Sequence, residues 1–265
     1  MKKRLDVLAA EKGIFPSREK AKASIMAGLV NVDGLRVDKP GTPVSESAQI
    51  TVREDLCPYV SRGGLKLEKA LKSFDFSLNQ VAAVDIGAST GGFTDCMLQN
   101  GASHVYCIDV GYGQLDWKLR NDSRVTNMEK CNVRYLDTNL IERKIDFISI
   151  DVSFISLKLV LPVAAELLSE EGSLVCLVKP QFEAGREQVG KKGIVRDPKV
   201  HEEVIAKVIA YGEENGLYSH GLTFSPVKGT KGNIEYLLFM KKKKCDNGID
   251  IKDVVNASHD ELILE

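Results

Sequence analysis

The chain has no long hydrophobic run, a single tryptophan and almost no net charge. No stretch approaches the roughly 18 uncharged apolar residues that a membrane-spanning helix needs. The N-terminal stretch MKKRLDVLAAEKG is charged throughout, so no secretory signal is expected. A net charge of −1 means that the molecule as a whole carries no nucleic-acid signature. These absences argue against a membrane or exported protein and give no direct sign of an RNA partner.

The cysteines also lack any pattern. None forms a C-x-x-C pair and none has a histidine cluster nearby, so neither a zinc site nor a disulfide framework is expected. We expect no bound metal, and a reducing cytoplasm fits this usage best. The cysteines stand at positions 57, 96, 107, 131, 176 and 245.

What is present is enough chain for one large α/β domain and a small one, with 43% hydrophobic residues. Charge is unevenly distributed: residues 1–53 hold 10 Lys and Arg against 6 Asp and Glu, whereas residues 246–265 hold six acids and one lysine. A basic head is compatible with phosphate contacts. An ordinary solvated helical face explains the charge alone equally well.

The first 53 residues have the signals of a compact α+β module. Residues 2–13 are predicted to be a short helix, Ser17 an N-cap and Gly28 a C-cap of a second one. Asp33-Gly34 between short apolar segments predicts a hairpin. The stretch from Ser17 to Gly34 resembles the small RNA-binding domain shared by a ribosomal small-subunit protein, pseudouridine synthases and tyrosyl-tRNA synthetases. That resemblance implies RNA contacts by Arg4, Arg18, Lys20 and Lys22.

Beyond a predicted linker at 54–61, residues 62–245 alternate between strand and helix patterns. Continuous apolar strands of this kind favour a Rossmann-like, doubly wound parallel sheet. The acidic C-terminal tail, residues 246–265, is expected to be loosely ordered. The predicted strands are 81–86, 104–109, 145–150, 173–178 and two more near 217–224 and 234–240, with helices at 93–100, 157–169 and 199–215.

The segment from Asp85 to Asp95, DIGASTGGFTD, follows a strand and opens a helix, where an open α/β sheet binds its nucleotide. Its glycine spacing differs from the dinucleotide pattern G-x-G-x-x-G. An acid at the strand end suits a cationic ligand such as the sulfonium of S-adenosylmethionine; a tight turn without a ligand is the alternative. Asp109 ends the next strand and can accept the ribose hydroxyls of either NAD or S-adenosylmethionine. The predicted cofactor-binding residues are Asp85, Gly87, Ala88, Ser89, Thr90, Gly91, Gly92, Phe93, Thr94, Asp109, Tyr112 and Asp151.

Four charged residues form a dispersed constellation: Lys66, Asp151, Lys179 and Glu235. Asp151 and Lys179 each end an apolar strand, so both project from the carboxyl edge of the predicted sheet. A lysine directly after L-V-C-L-V is costly to bury unpaired, which predicts an acidic partner.

From Lys66 to Glu235 the sequence resembles the FtsJ-type RNA ribose 2′-O-methyltransferases, and with the N-terminal module it resembles the TlyA family, long labelled haemolysins. The strings that carry this are YVSRGG at 59–64, Asp85 to Asp95, IDVSFIS at 150–156, VKPQFE at 178–183 and residues 185–198. The resemblance implies S-adenosylmethionine as cofactor, ribosomal RNA or ribosomal subunits as partner, cytidine as target, and a catalytic set made of Lys66, Asp151, Lys179 and Glu235. Leu65 and the acidic tail depart from the family pattern.

Residues 184–198 combine four cations with three glycines, and we interpret them as an RNA-contacting lid. A plain flexible surface loop is nearly as good an explanation. Arg62, Arg186, Lys191 and Lys192 complete the predicted RNA-binding set. Three rival functions remain: a membrane-lytic haemolysin, a non-catalytic RNA-binding protein, and, more remotely, an NAD enzyme. The oligomeric state stays open.

Overall fold

A computed structural model describes residues 2–26, 28–52, 57–245 and 248–263. The chain divides into two compact units, Met1–Pro58 and Tyr59–Glu265. Arg53 and residues 54–56 of the predicted linker lie outside the described residues, as do residues 246, 247, 264 and 265 of the predicted acidic tail.

The N-terminal unit packs two helices against short antiparallel strands. Residues 2–4, predicted as the start of a helix, instead form a strand, because their backbone pairs with residues 43–45. The central strand of the three-stranded sheet is β2, with β3 and β5 on either side. The elements are β1 (Lys2–Arg4), α1 (Leu5–Glu11), α2 (Arg18–Met26), β2 (Val30–Val32), β3 (Leu35–Arg36), β4 (Pro43–Ser45) and β5 (Ile50–Val52).

Local signals in this unit act as the sequence predicts. The hydroxyl of Ser17 accepts a hydrogen bond from the backbone N–H of Lys20 at 3.2 Å, which is an N-cap contact. Asp33 and Gly34 have φ values of 51° and 82° between β2 and β3. Two consecutive residues with positive φ match the right-handed twist of a hairpin. The unit closes over a core centred on Leu5 and Ile25, both fully buried.

The C-terminal unit is built on a seven-stranded sheet in the order β11-β12-β10-β9-β6-β7-β8. The five strands from β10 to β8 are parallel, as predicted, whereas β12 runs antiparallel to both of its neighbours. The elements are α3 (Gly63–Ser73), β6 (Ala82–Ile86), α4 (Gly92–Gln99), β7 (His104–Ile108), α5 (Trp117–Arg120), β8 (Val125–Met128), β9 (Ile145–Ile150), α6 (Leu161–Leu167), β10 (Leu168–Val178), α7 (Pro180–Glu183), α8 (Pro198–Glu213), β11 (Tyr218–Phe224), β12 (Tyr236–Lys241) and α9 (Ile251–Ile263).

Both faces of this sheet are covered by helices. Neighbouring residues of β6 show it: Ala83 belongs to one hydrophobic cluster and Val84 to the other, and both are fully buried. Burial on both faces explains why the central strands read as continuous apolar runs. β8 has no such run, because all four of its residues are only half-buried, and the sequence pattern missed it.

The acidic C-terminal segment is a helix rather than a loosely ordered tail. α9 packs against α8 and β11. Val255 and Ser258 are fully buried and Leu262 nearly so. Because these residues recur at helical spacing, one face of α9 is apolar while its acids face water. The many acids of this segment led to the prediction of a loosely ordered tail, although the apolar residues between them have helical spacing.

Candidate active site

The carboxyl edge of the parallel strands gathers the charged constellation. β10, β9 and β6 are neighbours, so Lys179 after β10, Asp151 after β9 and Gly87 after β6 meet at one edge. Glu235 directly precedes β12. Because β12 is antiparallel, its beginning lies at the same edge as the end of β10, with Tyr236 opposite Val178. The antiparallel direction of β12 therefore places Glu235 at the site.

The four side chains form a continuous ionic array. Lys66, from α3, lies 2.9 Å from Glu235 Oε2 and 3.2 Å from Asp151 Oδ2. Lys179 Nζ lies 2.5 Å from Asp151 Oδ1. Asp151 thus bridges the two lysines, whereas Glu235 contacts one of them. The lysine and glutamate side chains are at most 12% exposed and Asp151 is 20% exposed, so solvent screens these contacts weakly.

The surroundings fix the charge state of two members. Burial alone would lower the pKa of Lys66, but Asp151 and Glu235 outweigh it and the pKa is raised. Burial would raise the pKa of Asp151, but the two lysines outweigh it and that pKa is lowered. Both groups are therefore charged at neutral pH. A permanently protonated Lys66 holds the two carboxylates and is unsuited to accept a proton.

Two polar residues in this array were not singled out from the sequence. Ser153 Oγ accepts a hydrogen bond from Lys179 Nζ at 3.1 Å. Gln181 Nε2 donates to Glu235 Oε1 over a long 3.4 Å, and its Oε1 is buried without a hydrogen-bond partner. Both stand within motif strings, and only the fold shows that they face the ionic array.

The glycine-rich turn after β6 closes tightly against the loop after β9. Gly87 has a φ of 85°, and a Cβ placed there would lie 2.5 Å from the carbonyl oxygen of Asp151. Only glycine fits. At Gly92, a Cβ would lie 2.8 Å from the backbone nitrogen of Gly64, so α3 and α4 approach each other through glycines. This approach brings α3, and with it Lys66, next to the turn.

Asp85 is the buried anchor of the same turn. Its Oδ2 accepts from the N–H and hydroxyl of Thr94 at 3.0 and 2.6 Å, and its Oδ1 from Ser149 Oγ at 2.9 Å. Burial raises its pKa to about 6 despite these bonds. Asp85 also lines the cavity beside the ionic array, which has a volume of about 580 Å³. These hydrogen bonds tie the turn to α4 through Thr94 and to β9 through Ser149.

A second cavity, of about 760 Å³, lies along the same edge. Asp109 lines it and holds the turn: Oδ2 accepts from the N–H of Ser89 at 2.8 Å and Oδ1 from that of Gly111 at 2.6 Å. Each oxygen keeps a second lone pair. Asn132 and Val133 line this cavity as well, although neither was predicted as a site residue from the sequence. The two cavities share Gly87, Ser89, Asp151, Ser153 and Phe154.

The other predicted cofactor residues divide into two groups. Ala88, Ser89, Thr90, Gly92 and Phe93 line the first cavity. Gly91 and Thr94 support the turn from behind, and neither lines a cavity. Tyr112 also lies outside both linings, with its ring 71% exposed and Lys130 Nζ 4.5 Å from the ring centroid. The structure does not bring Tyr112 into the lining of either cavity.

The predicted RNA-binding cations lie on the surface. Arg62 lines the first cavity, while the heads of Arg186, Lys191 and Lys192 are exposed. The side chain of Asn233 is hydrogen-bonded to their loop twice: it accepts from Val195 N at 3.1 Å and donates to Gly193 O at 2.9 Å. The predicted lid thus has a fixed attachment beside Glu235.

In the N-terminal unit the cations converge on an acid that the sequence reading missed. Asp6 is 1% exposed and accepts from Arg4 at 3.0 and 3.1 Å and from Arg18 at 3.0 Å. The bond from Arg4 and the two positive charges lower the pKa of Asp6 to about 2. Both arginine side chains remain more than half exposed, and Lys20 and Lys22 are exposed as well. The two arginines are thus held in place by Asp6 and open to a phosphate.

No cluster of metal-binding side chains occurs among the described residues. A family model described as FtsJ-like methyltransferase matches residues 59–242, and an S4 domain model matches residues 3–50.

Individual proteins are similar over nearly the whole chain. The Bacillus subtilis protein YqxC is 54% identical over 240 residues, covering 90% of this chain and 85% of YqxC. The 16S/23S rRNA (cytidine-2′-O)-methyltransferase TlyA of Mycobacterium tuberculosis is 42% identical, covering 97% of this chain and 96% of TlyA. A solved Streptococcus thermophilus structure that bears the name hemolysin superposes with a TM-score of 0.80 at 50% identity, covering 99% of this chain and 98% of that one.

Proposed function

The chain belongs to the FtsJ-like methyltransferase family, and on that premise we propose that it transfers a methyl group from S-adenosylmethionine to a ribose 2′-hydroxyl of ribosomal RNA, with cytidine as the target nucleoside. The observation that carries this is the array of Lys66, Asp151, Lys179 and Glu235 beside the glycine-rich turn. The S4 domain at the N-terminus supports an RNA substrate. A ribosomal substrate in turn supports a cytoplasmic site of action.

The cavities fit the proposed cofactor. Asp109 retains acceptor capacity for two vicinal hydroxyls, and Asn132 lies beside it in the same cavity. The shared lining of the two cavities allows one elongated ligand to extend from Asp109 toward Asp151. The buried carboxylate of Asp85, which lines the first cavity, suits a ligand with a cationic end. When bound, S-adenosylmethionine supplies a methyl group already activated on a sulfonium.

Lys179 is the residue that acts on the hydroxyl. An ammonium group has three N–H donors, and here two are taken by Asp151 and Ser153. The third can donate to the 2′ oxygen, align it and stabilise the negative charge that develops as the hydroxyl proton passes to solvent water. Lys66 stays charged and keeps Asp151 and Glu235 in position, so the geometry around Lys179 is preorganised.

An aromatic residue at the mouth of the site supports a nucleotide substrate. Phe154 is 91% exposed, has a φ of 63° and packs against Phe182 with ring centroids 5.0 Å apart. A bulky residue held in the left-handed region is unusual and marks functional sites. Its exposed ring offers a face for a base taken out of the RNA stack.

The test is transfer of radiolabelled methyl from S-adenosylmethionine to purified ribosomal subunits. We expect label in RNA with the wild type and none with Lys179→Ala, while cofactor binding persists in calorimetry. Lys242→Ala is the matched control, because Lys242 is also ion-paired, to Glu170 at 3.0 Å, but at the far end of β12. Undiminished turnover in Lys179→Ala would contradict the assigned role.

The same assay weighs the rival functions. No label on either subunit, together with measurable cofactor and RNA binding, would favour a non-catalytic RNA-binding protein. A membrane-lytic protein would release dye from liposomes, and we expect no release. In the part of the chain that the structure describes, no helix combines the length and apolar character needed to cross a membrane.

A further inference from the structure

The exposed apolar surface of the C-terminal unit is concentrated at one place. Among its described residues, all large hydrophobic side chains that are exposed lie between Val110 and Leu159. They follow β7, β8 and β9, so they lie in the connecting segments that leave the carboxyl edge of the sheet, where the cavities lie. Because exposed apolar area costs free energy, its restriction to the functional edge indicates a binding surface.

Three aromatic rings dominate this surface beyond the reaction site. Tyr112 is 71% exposed, and Trp117 and Tyr135 are both 75% exposed. Lys130 Nζ lies 4.5 Å from the ring centroid of Tyr112, and the Arg134 guanidinium lies 5.3 Å from that of Tyr135. A cation covers one face of a ring and leaves the opposite face for another planar group.

The backbone holds the first two rings in fixed positions. Between β7 and α5, Gly113 N donates to Glu129 Oε1 at 2.8 Å. Asp116 caps α5 by accepting from Lys118 N at 2.9 Å. The carboxylate of Glu129 is itself paired with Arg120. The nearby acids therefore already have partners, and Lys130 is left exposed beside the ring of Tyr112.

We propose that Tyr112, Trp117 and Tyr135, with Lys130 and Arg134, form an aromatic platform that binds the unpaired nucleotides flanking the methylated one. This rests on the proposed function for the identity of the RNA. Aromatic rings with adjacent cations bind single strands through base stacking and phosphate contacts. Exposed aromatic rings alone would also suit a protein partner. The exposed cations beside them, Lys130 and Arg134, favour a polyanion instead. Tyr112, which the cofactor cavities leave outside, thereby acquires a role.

The single tryptophan makes the platform directly observable. Trp117 is the only tryptophan of the chain, so tryptophan fluorescence reports this position alone. With the full-length protein and saturating S-adenosylmethionine, single-stranded oligocytidylate should quench the emission, and duplex RNA of equal length should quench it much less. Binding of labelled oligocytidylate without any change in emission would overturn the proposal.

Variants separate the platform from the catalytic site. Trp117→Ala and Tyr135→Ala should each raise KM for ribosomal subunits about 5- to 150-fold. The cofactor Kd and kcat should stay unchanged, and Trp117→Phe should restore most of the affinity. Tyr218→Ala is the control, because Tyr218 also has a lysine near its ring, Lys244 at 5.3 Å, but lies at the start of β11.

Each outcome has a distinct meaning. An unchanged KM in both alanine variants would refute the platform while leaving methyl transfer intact. Absence of methyl transfer in the wild type, with quenching still observed, would refute the proposed reaction and keep the platform. A concentration-dependent dimer that Trp117→Ala abolishes in sedimentation would show that this face binds a second copy of the chain, which also overturns the proposal.

Discussion

Replacing Asp151 with asparagine should destabilise the protein more than replacing Lys179 or Glu235. Asp151 is the only partner with opposite charge that the array gives to Lys179, at 2.5 Å, whereas Lys66 keeps Glu235 at 2.9 Å. Asp151→Asn therefore leaves a lysine that is 7% exposed without a counter-charge. Breaking a buried pair from one side costs about 3–5 kcal/mol.

A double-mutant cycle tests the reason as well as the size. In Lys179→Met, Asp151 retains Lys66 at 3.2 Å, so we expect a cost of about 0–2 kcal/mol. In the double variant no charge is left alone, since Lys66 still faces Glu235. Its cost should fall about 2 kcal/mol or more below the sum of the single variants.

The assay is thermal and urea unfolding of the full-length chain, following the transition of the C-terminal unit. For a unit of this size, 3–5 kcal/mol corresponds to a fall in Tm of about 6–20 °C for Asp151→Asn. All three variants should lack methyl transfer although their stabilities differ. The loss of activity is therefore not a consequence of unfolding. A Tm for Asp151→Asn within about 2 °C of the wild type, or strictly additive costs, would refute the account of the array.

Three further predictions follow from individual positions. Gly87→Ala should unfold at least about 2 kcal/mol more easily than Gly113→Ala in urea titration, because both have positive φ but only the first Cβ meets backbone. Burial lowers the pKa of His201 to about 4 from 6.5, so the unfolded chain binds an extra proton between these values. Stability should therefore fall as pH drops from about 6.5 to about 4, and His201→Gln should flatten that fall in pH-resolved unfolding. Lys191→Ala combined with Lys192→Ala should weaken RNA binding and reduce the slope of log affinity against log salt by about 1–2 in filter binding.

Much of the fold could be predicted from local patterns. The alternation of apolar strands and helices predicted the parallel core, and Asp33-Gly34 predicted the first hairpin. β8 was not predicted, because its residues Val125–Met128 are half-buried and form no apolar run. The direction of β12 was also beyond the pattern, since an apolar strand reads the same in either orientation.

The candidate site divides in the same way. All four charged residues, and the strand-end positions of Asp151 and Lys179, followed from the sequence. The family resemblance added their assignment as a catalytic set. Their distances and partners did not follow, and neither did the orphaned oxygen of Gln181. The four residues are tens of residues apart in the sequence. Such separations do not reveal which carboxylate lies between the two lysines.

The sequence by itself determined the residue types at the strand ends, the glycine at position 87 and the periodicity of the central strands. These are local properties, set by backbone conformation and by the side-chain repeat of two or 3.6 residues. Tertiary structure alone decided that Glu235 reaches the array, that Tyr112 lies outside the lining of both cavities and that the acidic end forms α9. Each of these depends on contacts between elements distant in sequence, which burial and charge pairing settle only once the sheet has assembled.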